Sequence, residues 1–415
     1  MRNKVLVASF FGNALEFYDF TLYGVFAMAL AEAFFPSQNP YNAILMSWGA
    51  FGVGFLMRPF GASLFGYIGD KYGRKRALSL SILLMGFPTF VIGILPTYAT
   101  IGLLAPITVV ICRLLQGLCT GGEYNGAAIF SIEHNRGHKK GFIGGIITSS
   151  CVFGALTATG LGTLSLKVLN DELSWRLLFL MGSGISFIGF FIRRSVSESP
   201  EFSKSILEKT YFSHMLVTIR DNLYSFIVSI LSGGLNGVLS YTLFGFLTAY
   251  LTRYHSVPLE KAMFSNVFGL LAFMLTCPFA GAILDKLGGR KYFLITTTVA
   301  MILPIFIFNS IGNLETSILV LLQMTYGAIV GMIAGPQHGF LQDLFPSENR
   351  YAGVSFGFCI GMGIIGGFTP FILTYLIKNT ENLLMPGILV SGMALITSLS
   401  VFFLRQDKAM HPIHA

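Results

Sequence analysis

The sequence predicts an all-α membrane protein: twelve transmembrane helices arranged as two six-helix halves. Composition is the first observation behind this, with 53% hydrophobic and only 11% charged residues, against about 25% charged in a soluble chain. The second is a succession of twelve apolar segments in the 415 residues, most of them long enough to cross a hydrocarbon layer about 30 Å thick as helices. The third is where the 27 Lys and Arg fall: 20 lie in the termini and alternate loops, five in the remaining loops, and Arg58 and Arg113 within spans. That asymmetry follows the positive-inside rule and places both termini in the cytoplasm. The net charge of +8 is therefore read as topological, and no nucleic-acid partner is expected.

The segments run from Val5 to Ala31, Ala43 to Gly66, Ala77 to Leu95, Ile101 to Phe130, Gly141 to Leu166 and Leu177 to Ile192. After a hydrophilic stretch come Leu223 to Leu251, Ala262 to Leu284, Phe293 to Ile311, Ser317 to Leu341, Gly353 to Ile377 and Leu383 to Leu404. The stretch from Arg193 to Asn222 is the one long polar connection. It divides the chain into a first half (1–194), a cytoplasmic linker (195–222) and a second half (223–415). The first apolar run is of full spanning length and carries acids, so it is expected in the mature protein and not in a cleaved leader. Cys112, Cys119, Cys151, Cys277 and Cys359 sit in apolar runs without pairing or metal spacing. They read as small hydrophobes, and neither metal nor cofactor is expected.

Two carboxylates, Glu16 and Asp19, interrupt the first span. At ~1.5 Å per residue Glu16 lies roughly 16 Å into the membrane, where charge costs at least ~2.5 to 3.5 kcal/mol. The acids share a helix face, and two like charges at low dielectric seldom ionise together. A proton or substrate site is the functional reading; an ion pair with a neighbouring helix is the competing one.

The halves repeat a motif. Gly66-Tyr-Ile-Gly-Asp70-Lys71-Tyr-Gly73-Arg74-Lys75 follows the second span, and Gly281-Ala-Ile-Leu-Asp285-Lys286-Leu-Gly288-Gly289-Arg290-Lys291 follows the eighth. Parallel six-helix repeats place substrate sites at their interface, near the membrane midplane.

On this motif the chain resembles the major facilitator superfamily. A narrower resemblance, to the metabolite:H⁺ symporter group and most of all its proline/betaine branch, is carried by four stretches. They are Gly12-Asn13 with Glu16-Phe-Tyr18-Asp19-Phe20; Arg58-Pro59-Phe-Gly61; Arg113-Leu-Leu-Gln116-Gly117 with Gly121-Gly122-Glu123-Tyr124; and Glu198-Ser199-Pro200-Glu201-Phe202. The second half departs from the branch at Thr248, where proline is usual. The resemblance implies the major facilitator fold and a cytoplasmic gate at Gly66, Asp70, Gly73, Arg74, Asp285 and Arg290. The branch's osmosensing members carry a C-terminal coiled coil; no heptads follow the last span here, so gating through such a tail is not expected.

Around the acids, the fourth span presents Arg113, Gln116, Thr120 and Glu123 within roughly an 80° arc. Arg113 stays charged, and can bind a substrate carboxylate or neutralise Glu16 or Asp19. Glu123 is read with Glu16 and Asp19 as a proton-coupling group, and Arg58 as a cation that snorkels or joins the inner gate. Substrate-binding candidates are Arg113, Gln116, Tyr18, Tyr23, Asn236, Tyr241, Gln323 and His338. Packing is the alternative for the tyrosines, and interhelical hydrogen bonding for the amides. Asn266, Tyr326 and Gln337 are further polar groups in spans of the second half. His338 follows Gly335-Pro336, where a helix break can aim it inward, with a structural role as the alternative.

The expected function is proton-coupled symport of a small zwitterionic or carboxylate metabolite by alternating access, in the bacterial inner membrane. An amino acid or betaine needs one cationic and one anionic partner, which Arg113 and the first-span acids supply. Alternatives are an uncoupled facilitator, a di- or tricarboxylate:H⁺ symporter, and a membrane sensor on a transporter scaffold. No nucleophile and base pair, metal spacing or phosphate loop argues for an enzyme. The expected partners are the metabolite, H⁺ and the lipid bilayer, and the expected unit is a monomer.

Overall fold

The computed structural model describes residues 2–72, 74–121, 124, 128, 139–194, 220, 222–311, 315–345 and 350–404. Among these the secondary structure is helical, and the helices account for twelve spans. Backbone polar groups must be satisfied inside each segment in lipid, which is why the apolar runs form helices.

The first span comprises α1 (Arg2–Val25) and α2 (Ala27–Phe34), joined by a bend of 68° at Phe26. The second is α3 (Pro40–Leu56) followed by α4 (Arg58–Tyr72). Pro40 stands in the first turn of α3, where a missing N–H costs nothing, and Asn39 caps the helix through the Tyr41 amide at 2.9 Å. The third span is α5 (Arg74–Ile94), and a short turn, α6 (Tyr98–Ile101), precedes the fourth, α7 (Leu104–Thr120). The fifth is α8 (Lys140–Ser165) and the sixth α9 (Asp171–Arg194), whose first turn carries Asp171 and Glu172 at the positive end of the helix dipole.

The seventh span is α10 (Leu223–Tyr241), a π-helical turn (Thr242–Phe246) and α11 (Leu247–Tyr254). The eighth and ninth are α12 (Leu259–Leu287) and α13 (Gly289–Ser310). The tenth breaks at Gly335-Pro336 into α14 (Thr316–Ala334) and α15 (Gln337–Gln342), at the position where the sequence places a helix break. The eleventh joins α16 (Arg350–Ile360), a second π-helical turn (Gly361–Gly366) and α17 (Thr369–Thr380). The twelfth is α18 (Met385–Phe402).

Helix ends shift by a few residues from the apolar segments because polar residues continue a helix past the hydrocarbon. Thus α4 runs to Tyr72, through Gly66 and Asp70, and α5 begins at Arg74. The expected linker falls almost wholly on residues outside those described. Phe60, Phe279, Phe306 and Leu321 are exposed on the outside of the bundle, as a lipid-facing surface requires.

Two glycine contacts set the spacing near the centre. A side chain on Gly117 of α7 would overlap the carbonyl oxygen of Gly54 on α3, so only glycine lets those helices meet. A Cβ on Gly245 would lie 2.6 Å from Cα of Gly24, which brings the π-helical turn of the seventh span onto the end of α1.

The first six and last six spans touch at both ends of the bundle. At the end holding the N-terminus of α8, Asp285 accepts hydrogen bonds from the amides of Gly141 (2.8 Å) and Phe142 (3.0 Å). A carboxylate there satisfies orphan helix donors and faces the positive end of the dipole. Lys140 pairs with Asp343 at 2.9 Å nearby. At the opposite end the hydroxyls of Tyr41 and Tyr254 meet at 2.8 Å, and Lys167 lies 3.8 Å from Glu260.

Candidate functional site

Halfway along the bundle, four charged side chains from three helices of the first six spans are buried together. Glu16 and Asp19 come from α1, Arg58 from the start of α4 and Arg113 from α7, each no more than 4% exposed. The acids share a face, and among the described residues each pairs with a different arginine. Arg58 lies 3.6 Å from Glu16, and Arg113 Nη2 lies 3.3 Å from Asp19 Oδ2. The ion pair with a neighbouring helix, the competing reading of these acids, is present at both, since each carboxylate faces a guanidinium.

Asp19 is held by two further groups. Gln116 Nε2 donates to Asp19 Oδ2 at 2.6 Å, and the Thr89 hydroxyl lies 2.9 Å from Oδ1. Thr89 also accepts from Gln116 Nε2 at 2.9 Å, so α1, α5 and α7 are tied at one carboxylate. Arg113 keeps Nε and Nη1 without an acceptor among the described residues.

Aromatic rings insulate the two pairs. Phe20 lies 5.2 Å from the Arg58 guanidinium carbon and 5.7 Å from that of Arg113. Phe55 adds a second ring to Arg58 at 4.5 Å, and Tyr23 one to Arg113 at 4.4 Å. A guanidinium is weakly hydrated and is attracted to a ring face, which eases the desolvation of each cation.

Between the first and last six spans lies a cavity of ≈ 10 Å³, lined by Phe20, Thr21, Gly24, Trp48, Phe51, Tyr241, Phe244 and Gly245. It has room for about one water.

The other candidates divide between this centre and the helix packing. Gln116 binds Asp19, and Tyr241 lines the cavity. Tyr23 stacks on Phe51, one of the lining residues, and donates to the Ser47 carbonyl at 3.1 Å. Tyr18 turns away, its hydroxyl donating to the Leu178 carbonyl of α9 at 3.0 Å. Asn266 donates to Gln323 Oε1 at 3.2 Å and Gln323 Nε2 donates to Ser265 at 2.6 Å, tying α12 to α14. Asn236 donates to Gln337 Oε1 at 2.7 Å, joining α10 to α15.

His338 is buried with its ring 4.6 Å from Tyr124 and 5.5 Å from Phe358, and neither nitrogen has a hydrogen-bond partner among the described residues. Arg290 donates to the carbonyl of Phe402, within the last six spans. Glu123, Gly73 and the side chains of Asp70 and Arg74 lie outside the described residues, as does the environment of Gly66.

Sequence reasoning did not single out Thr89, or the rings of Phe20, Trp48, Phe51 and Phe244. Trp48 carried a signal, being one of only two tryptophans and sitting inside an apolar run.

Comparison with known proteins agrees with this architecture. The profile of the Major Facilitator Superfamily matches residues 9–370. The chain is 32% identical to the "Inner membrane metabolite transport protein YhjE" of Escherichia coli (strain K12), over 98% of this chain and 95% of that one. It is 29% identical to the "Proline/betaine transporter" of Salmonella typhimurium, over 96% and 83% respectively. The fold is similar to that of the xylose transporter XylE from E. coli in a partially occluded inward-open conformation, with a TM-score of 0.78 at 15% identity, covering 97% of this chain and 98% of that one. A twelve-span bundle with its buried polar site at the centre, matched over most of its length by that profile, belongs to the Major Facilitator Superfamily of membrane transporters.

Proposed function

We propose that the chain is a proton-coupled symporter that imports a small zwitterionic or monocarboxylate metabolite across the bacterial cytoplasmic membrane, with both termini in the cytoplasm. The observation that carries this reading is the charge balance of the site: two acids and two arginines in separate pairs, with Arg113 retaining donors for a further acceptor. Protonating Glu16 or Asp19 removes the charge that holds its arginine. The freed guanidinium then attracts a substrate carboxylate, so proton and substrate enter together. A single extra positive charge suits one carboxylate; a di- or tricarboxylate would require more cations than this centre supplies.

The names of the relatives support the substrate class, since two of them are a proline/betaine transporter and a transporter of glycine betaine, proline, ectoine and pipecolic acid. Transport follows from rocking of residues 1–194 against residues 223–415 about the central contacts. Asp285 on the α8 amides supports a reading as the inner gate, and the Tyr41–Tyr254 contact as the outer one. The test is counterflow into proteoliposomes loaded with proline, betaine, citrate or 2-oxoglutarate. Exchange of the zwitterions is expected, and exchange of citrate alone contradicts the reading.

A further inference from the structure

A second recess lies away from the charged pairs, on the surface where α3 of the first six spans meets α17 of the last six. Its volume is ≈ 630 Å³, and Ser37, Asn42, Leu45, Met46, Gly49 and Phe371 line it. Ligand sites are commonly about 300 to 1,000 Å³. On α3 the lining residues Asn42, Leu45, Met46 and Gly49 keep the i, i+3, i+4, i+7 spacing of one helix face. That face looks out of the bundle: Met46 is 44% exposed, and Tyr375 on the neighbouring α17 is 52% exposed. In a membrane-spanning bundle an outward apolar face meets lipid.

The lining is graded. Ser37 and Asn42 stand where α3 begins, and Leu45, Met46 and Phe371 lie deeper. Gly49 marks the deep end, where an added Cβ would lie 3.9 Å from the Phe371 ring. From Pro40 to Gly49 the helix climbs roughly 14 Å, near half of a hydrocarbon layer about 30 Å thick. The recess therefore runs from the interface toward the midplane through one leaflet, the path of an acyl chain.

Two cations flank its polar mouth. The Arg253 guanidinium carbon lies 4.4 Å and the Lys378 ammonium 5.2 Å from the centroid of the Tyr41 ring, and Tyr41 precedes the lining residue Asn42. Lys378 is exposed and lies about two turns beyond Phe371 on α17, on the same helix face. Among the described residues neither cation forms an ion pair. Two like charges gathered at one ring with no carboxylate between them attract an anion.

We propose that this recess binds an anionic phospholipid of the leaflet at the Tyr41 end, the outer leaflet in the topology proposed above. One acyl chain fills the apolar part, Lys378 and Arg253 take the phosphate, and Ser37 and Asn42 meet the headgroup hydroxyls. A small metabolite would leave Leu45, Met46 and Phe371 uncovered, whereas a phosphodiester with a tail satisfies both ends of the recess. The inference does not depend on the symport reading; it needs only a chain that spans a membrane.

The test is native mass spectrometry of the detergent-purified protein, titrated with phosphatidylglycerol or with phosphatidylcholine of the same acyl chains. For the first lipid bound, phosphatidylglycerol is expected to be about tenfold tighter, from its charge at two basic residues. Arg253→Gln combined with Lys378→Gln is expected to bring that ratio toward one. Lys286→Gln combined with Lys291→Gln, an equal loss of charge at the other end of the bundle, should leave it in place. Leu45→Trp fills the recess and should weaken both lipids by a similar factor.

Location is read separately, by irradiating the unaltered protein with a phosphatidylglycerol that carries a diazirine on its acyl chain and sequencing the labelled peptides. Adducts are expected within residues 40–56 and 369–380. Adducts confined to other spans would overturn the proposal, even if no variant folds. So would equal binding of the two lipids by the unaltered protein, or a ratio that the Arg253 and Lys378 substitutions leave unmoved. Displacement of the lipid by an equal concentration of inorganic phosphate would reveal an anion site without a chain, and would overturn it too. A dimer in which the two peptides lose their label would give the recess to a second copy of the chain, with the same consequence.

Discussion

Arg58 and Arg113 pack against one and the same ring: the guanidinium carbon of each lies within 6 Å of the centroid of Phe20, at 5.2 and 5.7 Å. They come from different spans, and each faces a different acid on α1. A change of charge at one pair is therefore felt at the other over a short, low-dielectric path. In the proposed symport, proton release and substrate attraction would fall within one layer of side chains.

The pair nearer the fourth span should behave as a buried ion pair. Removing one partner strands the other: Arg113→Met is expected to cost about 3 to 5 kcal/mol, read as a lower unfolding temperature of the detergent-purified protein. Adding Asp19→Asn should restore part of that loss. Equal melting of the single and double variants would mean that Asp19 and Arg113 are not coupled.

Close packing of the helices beneath this site sets a second expectation. Because any side chain on Gly117 meets the Gly54 carbonyl, Gly117→Ala must push α3 from α7 and is expected to cost about 1 to 3 kcal/mol. Gly160, whose added Cβ would meet nothing within 4 Å, serves as the control, and Gly160→Ala should leave the melting temperature close to its starting value.

The twelve spans were legible because an apolar slab of about 30 Å and the cost of buried charge act on local sequence. Glu16, Asp19 and Arg113 announced themselves the same way. Arg113 was legible as a counter-ion for either acid, but which acid it meets, and that Arg58 pairs with Glu16, was not, since Arg58 lies 42 positions from Glu16 and Arg113 lies 94 from Asp19, and only helix packing brings them together. The aromatic lining of the central cavity was illegible for another reason. With 40 phenylalanines in the chain, no periodicity says which of them face each other across the interface and which face lipid. Thr89 was hidden as well, because serine and threonine in spans commonly bond their own helix, as Thr89 also does with the Met85 carbonyl.

At the end opposite the α8 N-terminus, the Tyr41–Tyr254 hydroxyl contact at 2.8 Å is expected to help hold that side closed. Losing one hydrogen bond is worth about 0.5 to 1.5 kcal/mol, a roughly two- to twelve-fold change in an open-to-closed equilibrium. Tyr41→Phe should therefore raise, several-fold, the labelling rate of a Thr21→Cys reporter by an impermeant maleimide applied from that side. Unchanged labelling would show that the contact does not gate access.

Next to this contact, His255 lies just past the end of α11 with its ring 5.0 Å from Tyr250. Partial burial lowers its pKa below the ordinary value of about 6.5. The unfolded chain then takes up the proton first. The stability contributed by the neutral ring is present above about pH 6.5 and is lost as pH falls toward the lowered folded value. Melting temperature should fall between pH 7 and pH 5, and more shallowly in His255→Gln. An identical slope in both proteins would remove His255 from the account.

The claim that the first-span acids carry the proton meets its most direct test in one measurement on proteoliposomes: external pH recorded as a zwitterionic substrate is added, together with substrate accumulation under an imposed proton gradient. The account predicts alkalinisation outside the vesicles in step with uptake, abolished accumulation in Glu16→Gln or Asp19→Asn, and exchange surviving in at least one of the two variants. Both variants still concentrating substrate against its gradient would contradict it.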